Sequence, residues 1–374
     1  MLLKLLKALF ARRPAAAPAA APAPRAQPVS QLAVLSKLAS LAGGLPVTVS
    51  GKERPAERDA GGASAELPMT EIIERASALA SDALEPASEA RASAFTPAFA
   101  RAARPGRGLN VLVFHVDLPG DATLNYVDVK FNPRHFDYLE ILRRFIGRIR
   151  AHCSGATVYV VTAAGSRYGA LAAPDVAPVE LPIDGTQPMY DRATALLAYA
   201  RSPAFDRDTV FLDSDALVNR PLEEVFALGF DVCMTYREHE RLMPVNEGVM
   251  FLASRRPQAV VRFLERRLAT YDRIAADPFI TGYYGDVRRW RGGQLSLNAL
   301  AAGDMPCSPY RRGEIAGAAV RFLPCDTFNF AVAEGEAASA VDRLDQRYVV
   351  HFKGWRKYAF GLAAQAERAA APGG

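Results

Sequence analysis

The chain has 374 residues, with 45 Lys and Arg against 40 Asp and Glu, which gives a formal charge of +5. The excess lies in residues 1–107, which carry 14 Lys and Arg against 9 Asp and Glu and leave 31 of each sign for the remainder. Proteins that bind nucleic acid usually carry their excess of basic residues on the folded domain. The remainder of this chain has no such excess, so no nucleic acid is expected as a partner.

Residues 1–13 form a basic amphipathic segment, in which Leu and Phe alternate with Lys and Arg and no acid occurs. The segment is too short to span a bilayer and lacks the features of a signal peptide. It predicts a helix lying on an anionic membrane surface, with a disordered leader of no consequence as the alternative. Widely spaced cysteines without a Cys-x-x-Cys pair favour a reducing compartment. We therefore expect a cytoplasmic protein, with possible contact at the inner face of the membrane.

Residues 14–107 are rich in Ala and Pro and predict a largely disordered low-complexity tail. Two weak helices are expected within it, one around 31–41 and one over about 70–84 with Thr70 as its cap. Residues 363–374 predict a second disordered tail.

The folded domain is predicted over 108–362, where strand-like and helix-like patterns alternate. A strand at 109–115, a helix at 136–152 and a strand at 157–162 make a βαβ unit, which builds a parallel sheet. Further helices are expected at 189–199, after Pro221 and at 257–271, with strands at 209–212, 230–235 and 249–252. The fold class is therefore α/β, with a Rossmann-like mixed sheet flanked by helices.

Two carboxylates, Asp213 and Asp215, follow the buried strand at 209–212 directly. Ligands of open α/β sheets bind at the carboxyl ends of the strands. Two close carboxylates repel each other unless a hard cation binds between them, and Mg²⁺ or Mn²⁺ suits such oxygen ligands. The alternative is that both acids are solvated turn residues.

A second polar group follows the apolar run 348–350, where His351 begins a His-x-x-Gly-x-x-Lys pattern with Gly354 and Lys357. A neutral imidazole could complete the coordination of a cation held by the two aspartates. Gly354 would allow the backbone to approach a diphosphate, and Lys357 would offer it a positive charge. Taken singly, these residues are better explained as a core histidine, a turn glycine and a solvated lysine.

The order of these motifs resembles that of the glycosyltransferases of family 8 and their relatives, which use the nucleotide-diphospho-sugar transferase (GT-A) fold. Between the Asp-x-Asp pair and the histidine motif lie Asn246-x-Gly248 before a strand, Gln294 near a helix start, and a Leu-Pro dipeptide ahead of an aromatic-Asn pair. The likeness covers residues 190–358 in motifs and 109–162 in layout.

The resemblance implies a metal-dependent transfer of a sugar from a nucleotide-diphosphate sugar to an acceptor hydroxyl. Asp213, Asp215 and His351 look like the ligands of Mn²⁺ or Mg²⁺, and Lys357 with Gly354 like the diphosphate site. Arg192 sits where such enzymes place an arginine facing the donor. The acceptor could be a glycan, a lipid-linked group or a protein.

The resemblance also implies that the reaction retains the anomeric configuration. Asn246 and Gln294 resemble amides that contact the sugar. Retention would then follow from front-face attack beside Gln294, or from a covalent intermediate for which Glu247 is the available carboxylate.

Three departures from the family pattern stand out. Gly293 replaces an aspartate that commonly precedes the glutamine, Tyr358-Ala359 replaces Pro-Trp, and Glu247 occupies a position that is normally small. One polar contact to the donor is therefore missing or supplied from elsewhere.

Other functions remain as alternatives. A haloacid-dehalogenase-type phosphatase also uses a strand followed by Asp-x-Asp, although this chain has Leu217 where that class places Thr or Val. A nucleotidyltransferase of similar fold needs a glycine-rich basic loop after the first strand, and residues 115–120 are no such loop. A nucleotide-sugar-binding domain without turnover is the non-enzymatic alternative.

Overall fold

The structure is a computed structural model that describes residues 66–80, 89–117, 137–238, 240, 242–304, 312–331, 344–353 and 356. The described strands are β1 (Asn110–Phe114), β2 (Thr157–Ala163), β3 (Val176–Leu181), β4 (Thr209–Asp213), β5 (Ala216–Val218), β6 (Val232–Tyr236), β7 (Val245–Leu252), β8 (Arg312–Ile315), β9 (Ala318–Pro324) and β10 (Val349–His351).

Eight of these strands form one mixed sheet in the order β3-β2-β1-β4-β7-β6-β9-β8, and β5 pairs with β10 in a separate two-stranded sheet. The neighbours β3, β2, β1 and β4 run parallel, whereas β7 is antiparallel to both β4 and β6. The carboxyl ends of β1 and β4 therefore lie side by side, with Phe114 opposite Asp213.

The described helices are α1 (Glu66–Ala78), α2 (Glu89–Ala102), α3 (Tyr138–His152), α4 (Pro188–Ala200), α5 (Pro257–Ala276), α6 (Pro278–Tyr284), α7 (Gly292–Asp304) and the single turn α8 (Cys325–Phe328). Short 3-10 helices lie at Arg167–Leu171, Glu223–Leu228 and Leu344–Gln346. Helix α3 begins where the Asp137 carboxylate accepts the backbone N–H groups of Leu139 and Glu140. None of the described helices is both long and apolar enough to cross a bilayer.

The sheet separates two hydrophobic cores because successive strand residues point to opposite faces. On β1, Leu112 and Phe114 join the core that contains α1, α2, α4, α5 and α7. Val111 and Val113 join the opposite core, which contains α3 and the two-stranded sheet. The predicted fold class, a mixed α/β sheet flanked by helices, is confirmed.

Helices α1 and α2 lie upstream of residue 108, where the sequence analysis begins the folded domain. Phe95 and Phe99 of α2 are buried in the first core, and Arg91 forms an ion pair of 2.6 Å with the buried Asp191 of α4. The core therefore draws on residues from the region predicted to be a tail. The sequence did not predict α2 as part of the core, because its apolar stripe consists of only two aromatic residues, Phe95 and Phe99, among alanines.

The helix predicted over about 70–84 is observed as α1, Glu66–Ala78. The prediction of Thr70 as its cap is wrong, because Thr70 lies inside the helix. Pro68 falls in the first turn, where a missing N–H donor has no consequence. The segment 1–13, the helix expected at 31–41 and the tail 363–374 lie outside the described residues.

The Asn246-x-Gly248 motif was predicted to precede a strand, but it lies inside β7. The register against β6 pairs Met234 with Met250 and Thr235 with Asn246, so that residues 247–249 have no partner on β6. Such bulges bend a strand and redirect its side chains, and they are frequent next to active sites.

Candidate metal and donor site

Asp213 and Asp215, the two acids that the sequence predicted at a strand end, lie at the carboxyl end of β4. Asp213 is the last residue of β4, and the chain turns through Asp215 into β5. Strand β10 pairs with β5 so that His351 lies opposite Ala216, and the Phe352 N–H donates to the Asp215 carbonyl at 2.8 Å. The two-stranded sheet therefore brings a histidine from the end of the domain to the mid-chain aspartates.

Asp213, Asp215 and His351 converge on one small volume. The Nε2 atom of His351 lies 2.9 Å from Oδ1 of Asp215 and 3.4 Å from Oδ2 of Asp213. One ligand atom from each residue lies within 4.8 Å of the others. Two carboxylate oxygens and an imidazole nitrogen at such distances form a donor set that suits a divalent cation.

A chain of hydrogen bonds determines which nitrogen of His351 carries its proton. The buried N–H of Gly248 donates to Oδ1 of Asn246 at 2.9 Å, which identifies that atom as the amide oxygen. The same oxygen accepts from Nδ2 of Asn329 at 2.7 Å, which turns Oδ1 of Asn329 towards Nδ1 of His351 at 2.8 Å. Nδ1 is therefore the protonated nitrogen, and the lone pair of Nε2 faces the two aspartates.

This tautomer is evidence that the site fits a cation. A lone pair directed at two carboxylates is repulsive unless the ring takes a second proton or a cation lies between the groups. Burial lowers the pKa of His351, Lys353 lowers it further, and only Asp215 and Asp213 act against them. A divalent cation held between the imidazole nitrogen and the two carboxylates would remove this repulsion, and the donor set suits one.

Arg192 approaches the same aspartate from the opposite side. It projects from the first turns of α4, and its Nη1 lies 2.7 Å from Oδ1 of Asp213. Its Nη2 donates to the Glu247 carbonyl at 3.1 Å, and its guanidinium lies over the ring of Phe211, 4.5 Å from the centroid. The family resemblance implies that Arg192 faces the donor, and the structure places it beside a candidate metal ligand.

Glu247 and Gly293 also meet in the structure. The Glu247 carboxylate accepts a hydrogen bond from Arg267 of α5, and a Cβ atom on Gly293 would lie 2.5 Å from its Oε2. Gln294 follows in the first turn of α7 with a half-buried side chain. Gly354 and Lys357 lie outside the described residues.

Lys353 was not predicted as a site residue, because it occupies one of the unspecified positions of the His-x-x-Gly-x-x-Lys pattern. Burial and the nearby Arg237 lower its pKa to about 8, while Asp213 and Asp215 act in the opposite direction. Both carboxylates interact electrostatically with this amine, so Lys353 is a candidate positive group for the site.

Asn329 and Arg267 were also missed as site residues. Asn329 belongs to the aromatic-Asn pair that the sequence analysis noted without giving it a role. Nothing in the sequence singles out Arg267. It is one of six charged residues in the amphipathic helix α5, and only the packing of that helix turns its side chain inwards.

No protein-family model and no curated protein matches the chain. Among solved structures it is similar to the galactosyltransferase LgtC in complex with donor and acceptor sugar analogs, at 13% identity and a TM-score of 0.38 over 69% of this chain and 96% of that one. Mouse xyloside xylosyltransferase 1 is similar at 12% identity and a TM-score of 0.37, over 65% of this chain and 97% of that one. The glycosyltransferase GlyE of Streptococcus pneumoniae TIGR4 is similar at 12% identity and a TM-score of 0.41, over 69% of this chain and 60% of that one.

Proposed function

We propose that the chain is a metal-dependent glycosyltransferase, which moves a sugar from a nucleotide-diphosphate sugar to an acceptor hydroxyl. The observation that carries this proposal is the convergence of Asp213, Asp215 and His351 at the end of β4, with the imidazole held in the tautomer that a metal ligand needs. Positive side chains beside the same aspartates suit an anionic ligand.

Each residue of the site has a distinct task in this reaction. Asp213, Asp215 and His351 would hold Mn²⁺ or Mg²⁺, which when bound neutralises charge on a diphosphate leaving group. Arg192, which is buried, and Lys353, which is half-buried, would stabilise the same developing charge as fixed positive groups. Gly354 and Lys357 are proposed to complete the diphosphate site.

Retention of the anomeric configuration is part of the proposal. Gln294 lies at the start of α7, where its amide would contact the sugar near the reacting carbon, and Asn246 is proposed as a second amide of the donor site. The pairing of Glu247 with Arg267 favours front-face attack over a covalent intermediate, because a carboxylate bound to a guanidinium is a weak nucleophile.

The remaining partners follow from the proposed reaction. The acceptor is a glycan, a lipid-linked group or a protein, and residues 1–13 are proposed to bring the enzyme to the inner face of a membrane from the cytoplasmic side. No nucleic acid is proposed as a partner.

Thermal stabilisation by nucleotide diphosphates, each with and without Mn²⁺, tests the proposal. A ligand at 100 times its Kd raises the unfolding free energy by about 2.7 kcal/mol. We expect Mn²⁺-dependent stabilisation in the wild-type protein and its loss in Asp215→Asn.

Asp208→Asn is the matched control, because Asp208 stands just before the opposite end of the same strand and accepts hydrogen bonds from Ser254. The control should retain the stabilisation. Donor hydrolysis that depends on Mn²⁺ would then separate an enzyme from a binding domain without turnover. Covalent phosphate on Asp213 would instead establish the phosphatase alternative.

A further inference from the structure

Glu247 is a buried carboxylate held by two arginines. Its side chain is 4% exposed, and its Oε1 accepts a hydrogen bond from Nη2 of Arg267, whose side chain is 2% exposed. The same oxygen lies 3.8 Å from Nε of Arg192. Charged groups this deeply buried are tolerated when each has an opposite charge beside it.

Arg192 extends this pairing to the candidate metal site. One guanidinium nitrogen contacts Asp213 at 2.7 Å and another donates to the Glu247 carbonyl at 3.1 Å. Charges therefore alternate from Arg267 through Glu247 and Arg192 to Asp213. Arg192 thus has two acidic neighbours, the Asp213 carboxylate at 2.7 Å and the Glu247 carboxylate at 3.8 Å, and both bear on its position.

Gly293 provides the space that this arrangement requires. A Cβ atom at position 293 would lie 2.5 Å from Oε2, 2.7 Å from Oε1 and 2.9 Å from Cδ of Glu247. Real side chains do not approach so closely, so a larger residue at 293 and the present position of Glu247 exclude each other. The residues at positions 247 and 293 therefore depend on each other. An acidic residue at position 293 would place a carboxylate here from α7, whereas Glu247 places one here from β7.

We propose that Glu247 is a positioning residue, which holds Arg192 in place for the diphosphate sugar and acts through it. Arg267 fixes the Glu247 carboxylate, and Gly293 makes room for it. The proposal rests on the proposed function of the site, because Arg192 is the group that meets the donor. Glu247 itself makes no bond to the reacting carbon.

The experiment measures the affinity of three probes, UDP-glucose, UDP-galactose and GDP-mannose, in the presence of Mn²⁺, together with melting temperature and donor turnover. In Glu247→Gln we expect the affinity of the bound probe to fall at least about tenfold, as for a lost charge-assisted hydrogen bond. The double variant Glu247→Gly with Gly293→Asp returns a carboxylate to Arg267 from the facing position. It should recover affinity to within about threefold of the wild type.

Glu265→Gln is the matched control, because Glu265 lies on the same helix as Arg267 and pairs with Arg201 at 2.7 Å. It should leave donor affinity unchanged. Should Glu247→Gln fail to fold, Arg267→Lys keeps the charge but loses the paired geometry, and the same loss of affinity is expected.

Three results would overturn the positioning role. The first is a Glu247→Gln variant that loses only melting temperature. The second is a Glu247→Gln variant that keeps donor affinity and loses turnover. The third is a double variant that binds no better than Glu247→Gly alone. Absence of Mn²⁺-dependent binding of every probe in the wild-type protein would instead refute the proposed function itself.

Discussion

Asn329 connects His351 to strand β7, and its replacement by Leu tests whether the hydrogen-bond chain prepares the imidazole for a metal ion. The amide bonds to Nδ1 of His351 at 2.8 Å, to Asn246 at 2.7 Å and to Thr235 at 3.0 Å. Leucine has the same number of side-chain heavy atoms but makes none of these bonds. It leaves the Nδ1–H buried without an acceptor.

Two effects follow from the loss of these three hydrogen bonds. At about 1 kcal/mol each, they predict a loss of roughly 3 kcal/mol in unfolding free energy. The ring of His351 also becomes free to carry its proton on Nε2, where it would donate to Asp215 at 2.9 Å and oppose a cation. Loss of such an outer partner typically weakens metal binding by about 10- to 100-fold.

Titration calorimetry with Mn²⁺ alone measures this effect without reference to turnover. Asn110→Leu is the matched control, because buried Asn110 also makes three hydrogen bonds, to Tyr199, Ala204 and Asp206, at the amino end of β1. The control should lose comparable stability and keep its Mn²⁺ affinity. Wild-type affinity in Asn329→Leu, or an equal loss of affinity in the control, would refute the reasoning.

Three further predictions follow from single positions. In Gly248→Ala the new Cβ would lie 2.7 Å from the His351 ring; Mn²⁺-dependent stabilisation should disappear, whereas Gly147→Ala, whose Cβ meets nothing, should retain it in the same melting assay. Burial raises the pKa of Asp191 to about 6, so its protonation stabilises the fold below pH 4 and that contribution is lost as the pH rises through 6. Urea unfolding should show Asp191→Asn gaining about 2 kcal/mol on the wild type between pH 4 and 7.5, and a constant difference would contradict the shift. Phe99→Ala should lower the unfolding free energy by about 3–5 kcal/mol, whereas a change below about 0.5 kcal/mol would show that α2 lies outside the core.

The local features of the site could be predicted from sequence because they depend on neighbours along the chain. An apolar run that stops at two acids places Asp213 and Asp215 at a strand end wherever the strand lies in the sheet. The same reasoning placed His351 at the end of a second strand. The α/β class followed likewise, since alternating strand and helix patterns build a parallel sheet.

Other features depended on register between distant strands, which periodicity does not encode. The sequence predicted that Asn246-Glu247-Gly248 precedes a strand. In the structure β7 pairs with β4 and β6 and continues through these residues, which form a bulge. Helix α2 was hidden for a different reason, because an alanine-rich sequence shows its apolar stripe only against the surface that it covers.

The sequence by itself determined the fold class, the carboxylate pair and the histidine, since strand ends and charge are properties of short segments. Only the tertiary structure decided that β5 and β10 pair, that Asn329 sets the tautomer of His351, and that Glu247 fills the space beside Gly293. Each of these contacts joins segments far apart in the chain, and the energy of a buried charge or hydrogen bond depends on the group that packing brings to it.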